Sequence, residues 1–212
     1  LILESAFPPL KKNVKPSTKK KPELAAMGSA TSETPKTLTT DQKTCIANIL
    51  SHQGFQTHLL FGVTGSGKTE VYLQLLENTL REGRRGLVLV PEISLTPQLV
   101  SRFVSRFGDR VAVIHSHLSE REKTNQWWQM IEGKKDILIG ARSALFCPVD
   151  NIGLIVVDEE HDSSYKQEDR VRYHARDLAV VRSKLSGAAV VLGSATPSLE
   201  TWHNAISGKY KL

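Results

Sequence analysis

Cysteine is nearly missing: Cys45 and Cys147 are the only two in 212 residues. They are too few and too far apart for a disulfide framework or a zinc site. Long apolar runs are missing as well. The longest, such as Leu87–Val90 and Leu154–Val157, are strand-sized, well below the ~18 residues of a membrane-spanning helix. A signal peptide is not expected, because the opening Leu-Ile-Leu is short and runs at once into Glu4. Together these absences predict a reducing, cytoplasmic setting with no membrane partner. What is present is a 40% hydrophobic content, enough for a buried core and too much for a wholly disordered chain. The length suits one large domain, or one domain and a tail.

Charge divides the chain. The formal net charge is +6, from 28 Lys and Arg against 22 Asp and Glu. Residues 1–36 carry seven Lys and three Glu, so most of the excess lies there. Lys11, Lys12, Lys15, Lys19, Lys20 and Lys21 stand among Pro, Ser, Thr and Ala without apolar periodicity. Residues 1–36 therefore read as a flexible basic linker or arm, and residues 37–212 as the domain. Such an arm can meet phosphate backbone without sequence preference, although a solvated linker explains it as well. The chain begins without Met and stops soon after a helix-like stretch, which reads as part of something longer.

From Leu38 onward, strand and helix patterns alternate. Helices are predicted over Thr39–Ser51, Lys68–Glu82, Thr96–Phe107, Ser119–Ile131 and Arg176–Leu185. Strands are predicted at His58–Phe61, Gly86–Val90, Val111–Ile114, Ile137–Ile139, Leu154–Val157 and Val190–Leu192. Ser119 with Glu122 makes a capping box, and Thr96-Pro97 joins a cap to a first-turn proline. Strands that are apolar throughout, alternating with helices, argue for an α/β fold: a mainly parallel sheet covered on both faces. Trp127, Trp128 and Cys45 read as packing residues, and Cys147 has no assignment.

Gly62-Val63-Thr64-Gly65-Ser66-Gly67-Lys68-Thr69 fits G-x-x-x-x-G-K-[ST] at every fixed position. It follows a predicted strand and opens a predicted helix, as a phosphate-binding loop must. The glycines let backbone amides turn inward around phosphates, and the helix N-terminus adds partial positive charge. Lys68 supplies a point charge and Thr69 a hydroxyl for Mg²⁺. Further on, the apolar strand Leu154–Val157 ends in Asp158-Glu159-Glu160-His161. Carboxylates at a strand's carboxyl end face the crevice where α/β sheets bind ligands. Asp158 is expected to hold Mg²⁺ and Glu159 to orient and deprotonate an attacking water, so Lys68, Asp158 and Glu159 form the catalytic set for ATP.

With Ser194-Ala195-Thr196 after a strand, these segments resemble motifs I, II and III of superfamily 2 helicases, a RecA-like nucleotide-hydrolase fold. A narrower resemblance rests on Val90-Pro91-Glu92-Ile93-Ser94-Leu95-Thr96, Gly140–Phe146 and Asp158–Lys166. These stretches are similar to the PriA-type primosomal replication-restart DNA helicases, and the resemblance covers most of residues 38–212. It implies the first lobe of a 3′→5′ helicase that couples ATP hydrolysis to movement along single-stranded or forked DNA. Ser94 and Thr96 would then contact the strand's phosphates, as would Arg142 and Ser143. On spacing alone, Pro91–Gln98 is equally an ordinary capped loop.

Between His161 and His174 stand Tyr165, Lys166, Arg170, Arg172 and Tyr173. Aromatics among cations suit stacking on unpaired bases, and the resemblance makes Tyr165, Lys166 and Arg172 single-strand contacts. A polar loop with incidental tyrosines is the plain alternative. The resemblance also makes His161, Ser194 and Thr196 the coupling between nucleotide and DNA sites. Gln42 has two readings that fit together poorly: the third residue of a capping box begun by Thr39, or a contact to the adenine edge implied by the family.

Family members also carry a second helicase lobe, a zinc module and flanking DNA-binding domains, and none is visible in this sequence. Zinc is therefore expected only in the absent parts of the parent protein, and primosome proteins are partners by resemblance alone. Without a second lobe to neutralise transition-state charge, the isolated chain is expected to bind nucleotide weakly and hydrolyse it slowly. A duplex-DNA translocase subunit shares these motifs, and a nucleotide-gated DNA-binding module without motor activity is a further alternative.

Overall fold

Apolar residues on both sides of each central strand dictate a sheet sandwiched between helices, and the computed structural model has that form. It describes residues 37–116, 118–169 and 171–212. The expected arm at 1–36 and Arg170 lie outside the described residues. The strands are β1 (Gln56–Phe61), β2 (Arg85–Leu89), β3 (Val111–Ile114), β4 (Ile137–Gly140), β5 (Ile152–Val157), β6 (Lys166–Gln167), β7 (Tyr173–His174) and β8 (Ala189–Ser194). Six of them form one sheet in the order β1-β8-β5-β2-β4-β3. Every pairing in it is parallel. The short strands β6 and β7 make a separate antiparallel hairpin.

The helices are α1 (Thr40–Leu50), α2 (Lys68–Arg81), α3 (Pro97–Phe107), α4 (Glu120–Ile131), α5 (Ala175–Ser186) and α6 (Leu199–Ile206). Ile155 and Val157 of β5 pack with Trp127, Met130, Ala175 and Ala179 on one side. Leu154 and Val156 pack with Val71, Tyr72, Val100 and Phe103 on the other. This alternation with both faces buried is why the strand reads as a continuous apolar run. Trp127 is buried in the core and Trp128 half-buried. Cys45 is half-buried beside the second cluster, while Cys147 is fully buried in the first.

Local signals set the helix starts. The Thr39 and Ser119 capping boxes are both closed, and the Thr96 hydroxyl accepts from Leu99 N with Pro97 behind it. The expected strand Val111–Ile114 matches β3, Gly86–Val90 is displaced by one residue from β2, and the other four are short by one or two residues at one or both ends. The β6–β7 hairpin has no counterpart among the expected elements, and α6, capped by Ser198, is the helix-like stretch near the end of the sequence. Near the chain's last described residue, Leu59 N donates to Lys211 O at 2.7 Å and Lys211 N to Thr57 O at 2.9 Å, covering the outer edge of β1. Among the described residues no helix is long and apolar enough to cross a membrane.

Because the six strands run the same way, their carboxyl ends share one rim. The segments after β1, β2, β4, β5 and β8 are those singled out in the sequence, and the fold gathers them there.

Candidate active site

The loop from Gly62 to Gly67 joins β1 to α2. Gly65 and Gly67 have φ of 82° and 86°, in the left-handed region that glycine occupies without penalty. A Cβ at Gly67 would overlap the Gln42 amide, and one at Gly62 would stand 2.7 Å from Ser66 Oγ. Glycine at 67 thus lets the loop lie directly against Gln42. Lys68 is buried, and its Nζ donates to Gly62 O at 2.8 Å and lies 3.7 Å from Glu159 Oε1. One carbonyl and one distant carboxylate leave a buried ammonium short of negative charge, as a phosphate site requires. Val63, Thr64, Gly65 and Ser66 are exposed, while Thr69 is half-buried one residue past Lys68.

Gln42 closes the capping box and also braces the phosphate loop. Its Oε1 accepts from Thr39 N at 3.0 Å and closes the capping box, while its Nε2 donates to Ser66 O at 2.9 Å. The two amide atoms point to different partners, so capping α1 and bracing the phosphate loop do not compete. A cleft of about 790 Å³ runs between α1, β1 and the loop, lined by Gln42, Cys45, His58, Phe61, Ser66 and Lys68 among others. That is roomy enough for a purine nucleoside beside a phosphate cradle.

The carboxylates divide rather than act as a row. Asp158 is half-buried; its Oδ1 accepts from the Tyr72 hydroxyl at 2.9 Å and its backbone O from the Tyr165 hydroxyl at 2.6 Å. Burial pushes the Asp158 carboxyl above its usual range, and the Tyr72 bond pulls it back. Glu159 has a left-handed φ of 45°, which turns its side chain towards Lys68. Glu160 has none of its surface exposed. It points away from the crevice, so the expectation of three carboxylates facing it is corrected to two. His161 Nδ1 lies 2.8 Å from Ser194 Oγ and its Nε2 3.3 Å from Thr196 Oγ1. These contacts join the segment after β5 to the end of β8 and the residues that follow it.

Lys68, Asp158 and Glu159 thus meet at the end of β1 and β5, and Thr69 follows Lys68 in the first turn of α2. A hydroxyl and a carboxylate beside a phosphate cradle make the hard oxygen set that suits Mg²⁺, which keeps several waters and takes few protein ligands.

The expected nucleic-acid contacts fare unevenly. Ser94 is half-buried and Thr96 exposed, on the turn entering α3. Ser143 is exposed, and Arg142 Nη1 donates to Ser164 O at 3.1 Å and Lys166 O at 2.8 Å. Arg142 therefore anchors the base of the 166–174 loop. Lys166 and Arg172 are exposed on that loop, with Lys166 Nζ 2.6 Å from Glu168 Oε1. Tyr165 is a correction: it is 0% exposed. Its ring lies in the core and its hydroxyl is taken up by Asp158, so no face is open for a base. Tyr173 is half-buried with its ring 5.2 Å from that of Phe146, edge to face.

Three residues that the sequence did not single out complete the site. Tyr72 and Gly193 flank Asp158, and Arg176 meets Glu160 at 3.2 Å. Tyr72 reads as an ordinary core position of α2 because its partner is 86 residues away.

Residues 39–205 match the family model described as DEAD/DEAH box helicase. The chain is 57% identical over 182 residues to replication restart protein PriA of Chlamydia pneumoniae, covering 84% of this chain and 24% of that protein. It is 50% identical over 181 residues to PriA of Bacillus subtilis, covering 84% and 22%. The chain spans roughly a quarter of the length of these relatives. Among solved structures, RecG bound to a three-way DNA junction aligns with a TM-score of 0.60 at 22% identity, covering 87% of this chain and 26% of that one. A hypothetical ATP-dependent RNA helicase from Sulfolobus tokodaii also gives 0.60, at 19% identity, over 89% and 54%. At such identities these two speak for the RecA-like helicase fold alone.

Proposed function

Because this chain belongs to the DEAD/DEAH box helicase family, we propose that it is the ATP-hydrolysing first lobe of a DNA helicase acting in replication restart. The observation that carries the reading is the convergence of Lys68, Asp158, Glu159 and the His161–Ser194–Thr196 contacts on one rim. Lys68 Nζ already stands 3.7 Å from Glu159 Oε1.

In this reading the backbone amides of residues 62–67 and the N-terminus of α2 hold the β- and γ-phosphates, and Lys68 leaves Glu159 to pair with them. Gln42 meets the adenine edge from the mouth of the cleft. Mg²⁺, held by Thr69 and Asp158, would draw charge from the phosphate oxygens. Glu159 orients the attacking water and accepts its proton. His161 passes any shift of the γ-phosphate region to Ser194 and Thr196, and so to the segment leading into α6. Ser94, Thr96, Ser143, Lys166 and Arg172 touch the phosphates of a single strand, with Arg142 holding the loop that presents two of them.

The parent protein would supply a second lobe whose arginine neutralises transition-state charge, worth roughly 10³–10⁵ in rate. The lobe alone is accordingly slow. The 3′→5′ direction, the primosome partners, zinc elsewhere in the parent and a cytoplasmic place rest on likeness to PriA.

ATP hydrolysis by the full-length protein, with and without single-stranded DNA and beside Glu159→Gln, tests the reading. Strong stimulation that the variant abolishes is expected. Stimulation by duplex alone would favour a translocase, and nucleotide binding without turnover would favour a gated binding module.

A further inference from the structure

Glu160 sits between the proposed catalytic carboxylate and the coupling histidine, yet it faces the interior. Its Oε1 accepts from Ser198 N at 2.7 Å. Its Oε2 accepts from Thr201 Oγ1 at 2.8 Å and Arg176 Nη1 at 3.2 Å, with Ser198 Oγ also at 3.2 Å. Arg176 in turn reaches Ser198 Oγ at 2.6 Å and Asp177 Oδ1 at 2.8 Å.

Capping α6 does not explain this carboxylate, because Ser198 already caps it through Thr201 N at 3.3 Å. Nor does stability require a charge there, since apolar residues of like volume serve a core as well as a buried ion pair or better. What distinguishes Glu160 is the set of segments that it joins. Arg176 lies in the first turn of α5, two residues past the hairpin that closes the 166–174 loop. Ser198 and Thr201 open α6, just past Ser194 and Thr196. Glu160 itself is flanked by Glu159 and His161, and its own N–H donates to Gly193 O at 3.0 Å. With residue 160 fixed inward at backbone and side chain, the side chains on either side are held towards the rim.

We propose that Glu160 is a positioning residue, through which single-stranded DNA at the 166–174 loop controls the placement of Glu159 and His161. The loop's base moves Arg176, Arg176 moves Glu160, and the turn carrying Glu159 follows. This rests on the helicase reading above.

The test uses the full-length protein with Glu160→Gln, and with Thr201→Val as a milder change that removes one donor and keeps the ion pair. ATP turnover with and without a single-stranded oligonucleotide, affinity for a fluorescent ATP analogue and thermal unfolding are measured on each. The stimulation by DNA is expected to fall at least about fivefold in Glu160→Gln, the lower end of ordinary coupling between sites. Nucleotide affinity should be little changed, and Thr201→Val should show a smaller loss in the same direction. A merely structural defect would instead lower basal and stimulated rates together. Full stimulation in a folded Glu160→Gln overturns the proposal, and if that variant does not fold, full stimulation in Thr201→Val does. No stimulation of the unaltered protein would overturn the helicase reading and the coupling with it, an outcome distinct from stimulation that both variants retain.

Discussion

The Tyr72 hydroxyl donates to Asp158 Oδ1 at 2.9 Å, and Gly193 makes the room for it, since a Cβ there would overlap that hydroxyl. An α2 residue thus aims a carboxylate at the end of β5 through a gap in β8. Tyr72→Phe should leave the chain folded and, if Asp158 holds Mg²⁺ as proposed, raise the Mg²⁺ concentration needed for ATP turnover about 10- to 100-fold, the usual cost of losing a partner behind a metal ligand. Gly193→Ala should do the same and also destabilise by about 1–3 kcal/mol through overpacking. Mg²⁺ titrations of turnover beside denaturant unfolding distinguish the two.

Gln42→Glu separates the jobs of one side chain. Glu serves a capping box as well as Gln, so the melting temperature should hold. A carboxylate cannot donate to Ser66 O, where Gln42 Nε2 now does at 2.9 Å. Nucleotide affinity should therefore fall up to about tenfold, the worth of one hydrogen bond. Calorimetric titration with a non-hydrolysable ATP analogue reads it; unchanged affinity would leave Gln42 a capping residue only.

Tyr165 and its loop neighbours should behave oppositely. Tyr165→Phe gives up the 2.6 Å bond to Asp158 O and should cost about 0.5–1.5 kcal/mol of stability, leaving affinity for single strands intact. Arg172→Ala should leave stability alone and lower the salt dependence of binding by ~0.7 in the log–log slope. Fluorescence anisotropy at several salt concentrations measures the second effect.

His58 sets an acid limit. It is buried, its Nε2 has no partner among the described residues, and burial, followed by His52 and Lys211, lowers its imidazole to about 4. As pH falls through the ordinary value of 6.5, the unfolded chain takes up the proton first. The stability contributed by neutral His58 is therefore complete above pH 6.5 and is lost on the way down to about 4, by about 3 kcal/mol. His58→Asn removes that slope while other groups titrate as before. Unfolding of both proteins at pH 7.5 and 4.5 should show the gap between them narrowing at the lower pH.

The sequence made the architecture readable wherever one residue type sufficed. Apolar strands, the Thr39 and Ser119 boxes, and the glycines before Lys68 each carry their meaning locally. Tyr165 and Glu160 were misjudged because the same letters serve inside and outside, and only the path of the chain decides which way they point. A tyrosine among cations looks like a stacking platform until its hydroxyl is found beneath Asp158. Glu160 looks like one of three equal acids until Arg176, 16 residues on, and Thr201, 41 residues on, are brought to it. Such partners are fixed by tertiary packing, which leaves no periodic trace in the chain.

Glu159 stands where the backbone favours glycine or asparagine, at a φ of 45°. Putting a long side chain there costs about 1 kcal/mol or more. The most comfortable residues for that position are thus ones that cannot activate a water. If Glu159 activates the water as proposed, a selection for heat resistance alone would tend to discard it and leave a sturdier, silent protein. Screens that harden this lobe should therefore hold position 159 fixed, since stability alone selects against a long side chain there.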